Sequence, residues 1–241
     1  MATTYKSLST NDIVTTKTLL HEAIPITGTI VSGTYISGTT ERNIKNYTHG
    51  MFQSVYDYPY LSSSANHIFD VTMGYHSTSA LSGTSAGHSQ VSKKINVYNQ
   101  MAQVLMGYDE DGNIRRFDED GDLAAGGTKL DEVFFVNFAR LLSKDEIKKG
   151  SFNIELGVAA AHSFDGTSMF ADRIKLVDTN AQNDYRVNSP AGDYGILYAD
   201  STVDTNLTND AGTQKAGLIF YQAGIAVISA SVFNDAALGG I

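Results

Sequence analysis

The chain contains no cysteine, which excludes a disulfide framework, a thiolate metal site and a cysteine nucleophile together. Charge is also scarce. Charged residues make up 18% of the sequence against the usual quarter, and threonine, serine, asparagine and 22 glycines fill the difference. Uncharged polar surfaces of this kind are common where proteins stack on other proteins. Basic residues are the smaller charged class, 17 against 26 acidic, for a formal net charge of -9. General attraction to nucleic-acid phosphates or anionic lipid is therefore not expected, whereas basic partners fit. No apolar run approaches the roughly 18 residues of a membrane span, so no membrane insertion is expected. Residues 1 to 6, Met-Ala-Thr-Thr-Tyr-Lys, lack the charged and apolar regions of a secretory signal. The expectation is a soluble protein made in a cytoplasm.

What the chain does have is length and β-prone composition. With 241 residues and 42% hydrophobic content it suits one large or two small domains. Composition changes near residue 90. Residues 1–90 are rich in Thr, Ser, Tyr and Gly, with Thr15 to Thr18, Thr27 to Val31 and Gly33 to Ile36 favouring extended segments, and read as an arm or docking region. Residues 77 to 89 are a Ser/Gly/Thr/Ala loop. Residues 91–241 read as a β-rich domain opening with a helix near 93–107, in which Ile95, Tyr98, Ala102, Leu105 and Met106 share one face. Ser89 or Ser92 suits its start and Gly107 its stop.

Glu132 to Phe138, Phe152 to Val158, Arg173 to Asp178 and Gly195 to Asp200 read as strands. Leu218 to Tyr221 and Ile225 to Ile228 read as a hairpin turning at Ala223-Gly224. Between the first two strands, Ser143 and Glu146 have capping-box spacing and Gly150 suits a stop, which predicts one or two helical turns. The fold class expected is mainly β with one or two short-to-medium α-helices.

Several local patterns imitate chemistry. Gly83-Thr84-Ser85-Ala86-Gly87 matches a nucleophile elbow, but Ser77 to Ser82 is not the buried apolar strand that an elbow needs. Asp109-Glu110-Asp111-Gly112 and Asp118-Glu119-Asp120-Gly121 look like calcium loops, yet the alignment puts Gly107 and Asp118 at the terminal ligand positions and fails at both. A pair of Asp-Gly turns flanking a short exposed strand, Ile114 to Phe117, is the plainer reading. His21, His49, His67, His76, His88 and His162 never fall at metal-ligand spacing. Tyr56, Tyr58 and Tyr60 form an aromatic cluster suited to interface packing or to stacking on sugar rings. Asn46-Tyr47-Thr48 and Asn206-Leu207-Thr208 are glycosylation sequons that mean little without a secretory signal. No catalytic, cofactor-binding or metal-ligating residue is assigned, and no cofactor is expected.

As a set, Leu20 to Pro25, Tyr58 to His67, Lys93 to Gly107, Asn137 to Glu146, Asp184 to Gly192 and the terminal hairpin resemble a family of virion structural proteins of marine T4-like phages, notably cyanophages. The resemblance spans most of the chain. It implies a non-enzymatic part of a contractile-tailed virion, in the tail baseplate or fibre-attachment region, assembled in the host cytoplasm. The partners implied are other virion structural proteins and symmetric copies of the chain itself, with no nucleic acid. Alternatives are a receptor- or glycan-binding module at the tail tip, a head or neck decoration protein and, more remotely, a polysaccharide-cleaving enzyme using two carboxylates. The apolar hairpin close to Ile241 raises the expectation that the native product continues beyond it.

Overall fold

The computed structural model describes residues 43–83, 89–122, 126–139, 142, 146–158, 172–200 and 211–233. They form one nine-stranded sheet in which every pairing is antiparallel. The strands are β1 (Ile44–Asn46), β2 (Gln53–Tyr56), β3 (His67–Tyr75), β4 (Glu132–Asn137), β5 (Asn153–Val158), β6 (Asp172–Val177), β7 (Tyr194–Asp200), β8 (Ala211–Phe220) and β9 (Ile225–Ser229). Their order, β1-β2-β3-β4-β9-β8-β7-β6-β5, describes two meanders. The first runs from one edge to the centre, and the chain then crosses to the far edge. The second runs back until β9 lies beside β4, with Phe135 opposite Val227. The mainly β reading holds, and the described residues contain a single α-helix, α1 (Ser89–Leu105).

The apolar pattern explains why β4 and β9 sit centrally. All five residues of β9 are buried, because a strand covered on both faces cannot alternate with polar residues. Val133, Phe135, Leu218, Phe220 and Val227 face α1, contributing to one core with Tyr98, Ala102, Leu105 and Met106. Val136, Ile219, Ala226 and Ile228 fall on the opposite face, in a second core with Phe138, Phe152 and Val232. The helix lies close against β3: a Cβ on Gly74 would stand 2.9 Å from the Tyr98 backbone nitrogen. Only glycine admits that approach. The helix ends as expected, with Gly107 at φ 76° and its N–H donating to the Ala102 carbonyl.

Four expectations need correction. Residues 43–83 are not a separate arm, because β3 pairs with β4 over six residues and the sheet runs through the boundary drawn near residue 90. Residues 1–42 lie outside the described residues. Ile114 to Phe117 is not an exposed strand. Phe117 is fully buried, its ring edge-on to Tyr98 and Phe135 at centroid distances of 5.4 and 5.7 Å. Residues 146–150 are not helical: the Ile147 N–H donates to the Tyr221 carbonyl and the Gly150 N–H to Asp178 Oδ2, so tertiary partners take the donors a helix would use. Residues 143–145 lie outside the described set. The last hairpin pairs Leu218 with Val227 and Phe220 with Ile225 but turns over four residues, Tyr221–Gly224. Tyr221 belongs to the turn because its buried hydroxyl reaches Asp178 Oδ2 at 2.9 Å. Gly224, at φ 65°, closes the turn by donating to the Phe220 carbonyl.

Candidate functional site: a basic, aromatic-lined groove

The patterns that imitated chemistry resolve into structural roles or fall outside the description. Ser85, His21, His88, His162 and Asn206 are outside the described residues. In the first acidic loop, Asp109 Oδ1 accepts the N–H groups of Asp111 and Asn113 at 3.0 and 2.7 Å, and Oδ2 accepts the Asn113 amide. Those hydrogen bonds hold its carboxyl below the ordinary value and fix a turn, with Gly112 at φ 83°. In the second, Asp118 is buried against Lys129, and Gly121 takes φ 64°. Both are Asx-type turns whose oxygens serve their own backbone or a lysine.

Ser54, Asp70 and His67 come together at the outer strands. Ser54 Oγ donates to Asp70 Oδ1 at 2.5 Å, and His67 Nε2 stands 2.7 Å from the same oxygen. The carboxylate therefore sits between serine and imidazole. A nucleophilic triad needs the imidazole in that middle position to take the serine proton, and here Ser54 is also buried. The cluster instead ties β2 to β3. His67 also meets the Tyr56 ring edge-on at 5.4 Å, and Tyr56 packs on Tyr60 at 6.3 Å. Tyr56, Tyr58 and Tyr60 are each half-buried, Tyr56 packing on both Tyr60 and His67. His76 lies against the Tyr98 ring and beside Thr78, which donates to Asp131. Burial holds its imidazole below the ordinary value, with Asp131 opposing and Arg116 assisting.

The most distinctive surface lies at the β1–β2 end of the sheet. β2 pairs with β3 only as far as Val71, so among the described residues Thr72–Tyr75 have a neighbouring strand on the β4 side alone. Beside this notch opens a groove of about 260 Å³, walled by Tyr47, Met51 and Phe52, floored by Met73 and Phe134, and reached by Lys94. Thr72 Oγ1 donates to the Met51 carbonyl and holds the wall against β3. Tyr47, His49 and Phe52 form a ring cluster with centroid distances of 4.9 to 5.1 Å, and the Lys45 ammonium lies 5.1 Å above Tyr47.

The groove is basic on an acidic molecule. Lys93 Nζ lies 3.4 Å from the His49 carbonyl, and no acidic side chain occupies the first turn of α1 to offset the positive end of the helix dipole. Lys94 is half-buried without an acidic partner among the described residues, and burial alone pulls its amine below the ordinary value. Chemically, the arrangement suits an anionic group carried on an apolar or aromatic body: lysines for the charge, rings and methionines for the rest. Sequence reasoning missed it, although a signal exists: neither Arg42–Tyr56 nor Val71–Tyr108 contains an acidic residue.

Comparison with family models, with curated proteins and with solved structures finds no match to this chain.

Proposed function

We propose that the protein is a non-enzymatic structural component of a tailed-phage virion, acting by protein–protein assembly in the tail baseplate or fibre-attachment region. The observation that carries the docking half of this reading is the notch beside β3. A strand edge that has no neighbour among the described residues and is flanked by aromatic and basic side chains suits a protein segment, because backbone groups give affinity and flanking side chains give selectivity. The virion half rests on the resemblance of the segments from Leu20 to Pro25 through the terminal hairpin. Sparse surface charge and a cysteine-free core built on two meanders agree with a part that must persist in a particle.

The test is localisation. An antibody raised against the chain should label tails of particles encoded by the same genome, and mass spectrometry of purified particles should recover the chain. Recovery from infected cells but not from particles would refute the reading. Specific binding on a glycan array by particles that carry the chain would move it to the tail-tip receptor alternative.

A further inference from the structure

We infer that the groove receives the acidic hairpin tip of a second copy of this chain, joining copies head to tail along the direction of α1. The proposal rests on the assembly reading above and names its partner surface. The occupant is the loop that follows α1. Tyr108 and Ile114 pair across it, the Asp109 N–H donates to the Asn113 carbonyl, and the three Asp109 side-chain bonds stiffen it, leaving Glu110 and Asp111 exposed at the tip. Asp109, Glu110 and Asp111 put three negative charges in three consecutive residues, with Arg115 next to Asp109 as a partial offset.

The two surfaces complement one another twice over. The groove offers Lys94 with Tyr47, Phe52 and Phe134, and next to it Lys45 lies over the Tyr47 ring and Lys93 reaches the His49 carbonyl. The opposite end of the helix offers Glu110 and Asp111 together with Val104 and Tyr108, apolar side chains 62% and 50% exposed. A self-contact is ruled out by geometry. Lys94 and Leu105 are eleven residues apart on α1, roughly 17 Å at 1.5 Å per residue, and the hairpin begins beyond that far end. Surfaces at opposite ends that match each other make a heterologous contact, which closes into a ring or extends as a filament according to the rotation between copies.

Charge reversal on each side tests this. Sedimentation of the full chain should show concentration-dependent association that weakens as salt rises. K93E/K94E and E110K/D111K should each weaken association by on the order of tenfold or more, because each sets like charges against one another. An equimolar mixture of the two variants should regain it, since the native groove of one then meets the native loop of the other and the two reversed surfaces also match. The milder pair K94M and E110Q/D111N should each weaken association, and mixing them should restore only the one contact between the native loop of K94M and the native groove of E110Q/D111N, giving pairs rather than extended assembly. This pair guards against a reversal that merely fails to fold, which circular dichroism reads directly. A wild-type chain that stays monomeric, reversals without effect, or reversals that mixing does not rescue would each overturn the inference. If particles nonetheless contain the chain, the virion reading survives while the head-to-tail contact falls.

Discussion

Replacing Asp178 with alanine should cost the domain about 3–5 kcal/mol, a large fraction of the roughly 5–15 kcal/mol that holds an ordinary domain together. Its carboxylate is fully buried. Oδ1 accepts the Phe152 N–H at 2.8 Å, and Oδ2 accepts the Gly150 N–H at 2.8 Å and the Tyr221 hydroxyl at 2.9 Å. One side chain thus joins the end of β6, the approach to β5 and the turn between β8 and β9. Alanine would leave three donors facing a small void, at about 1–3 kcal/mol each when unsatisfied, and water reaching the Gly150 side would recover part of that. Asparagine keeps one acceptor but turns an N–H₂ toward a donor, so about 1–2 kcal/mol is expected. Tyr221→Phe removes one bond to a charged acceptor, also about 1–2 kcal/mol.

A pH dependence follows with a definite sign. Burial pushes the Asp178 carboxyl above its ordinary 3.8, against the opposing hydrogen bonds from Gly150, Tyr221 and Phe152. The folded state holds this proton more tightly than the unfolded state does. Its contribution is therefore fullest below pH 3.8 and is lost as pH rises through the higher folded value. Asp178→Asn lacks that titration, so the stability gap between native and variant should widen as pH falls from neutral. Urea denaturation of the native chain, Asp178→Ala, Asp178→Asn and Tyr221→Phe at several pH values measures all of this. An alanine variant within about 1 kcal/mol of native would refute the reasoning, because three buried donors cannot lose their acceptor at so small a cost.

Gly217→Ala should be more damaging than its size implies, since its Cβ would stand 2.0 Å from the Val227 carbonyl oxygen on β9; about 3–5 kcal/mol is expected in urea, against about 1 kcal/mol for Gly112→Ala, where nothing lies within 4 Å. Gly224→Val should cost about 1–3 kcal/mol, combining backbone strain at φ 65° with a contact at 2.7 Å to Leu142 Cδ1 that the leucine partly relieves by rotating; an unchanged urea midpoint would show that no tight turn sits there. Burial pushes the phenols of Tyr98, Tyr194 and Tyr221 up, Tyr194 to about 12, so the stability they carry is complete below the ordinary value of 10 and is lost as pH climbs through the folded values. Each should contribute a decline of up to about 1.4 kcal/mol per pH unit above pH 10, and phenolate absorbance should appear in step with unfolding rather than before it.

Local pattern was enough to read β4 and most strands of the second meander. Glu132 to Asn137 and Ile225 to Ser229 are dominated by apolar, β-branched or aromatic residues, and Asn153 to Val158 alternates them with polar ones, over lengths that suit one strand each. The helix was legible for the same reason, because Tyr98, Ala102 and Leu105 repeat at helical spacing and all three are buried. The outer strands were not. His67 to Tyr75 mixes Asp70, Thr72 and Gly74 with apolar residues, and it becomes a strand because β4 pairs with it and α1 packs over Gly74. Neither cause is visible within nine residues of sequence.

The misread segments share a physical reason. Ser143 to Gly150 has the spacing of a capped helix, but that pattern registers only what a backbone offers to itself. The Ile147 N–H goes to Tyr221, 74 positions later, and the Gly150 N–H to Asp178. Asp109 and Lys94 show the converse. Asp109 resembled a cation ligand until its oxygens were found satisfied four residues away or nearer. Nothing in the sequence sets Lys94 apart from Lys93, and it is the fold that leaves it half-buried in the groove that Met51 and Phe134 also line. A polar group declares a role only through what the fold supplies or withholds as its partner. In this chain the groups supplied with partners hold the two meanders together, and an amine with no acidic partner among the described residues marks the surface proposed for assembly.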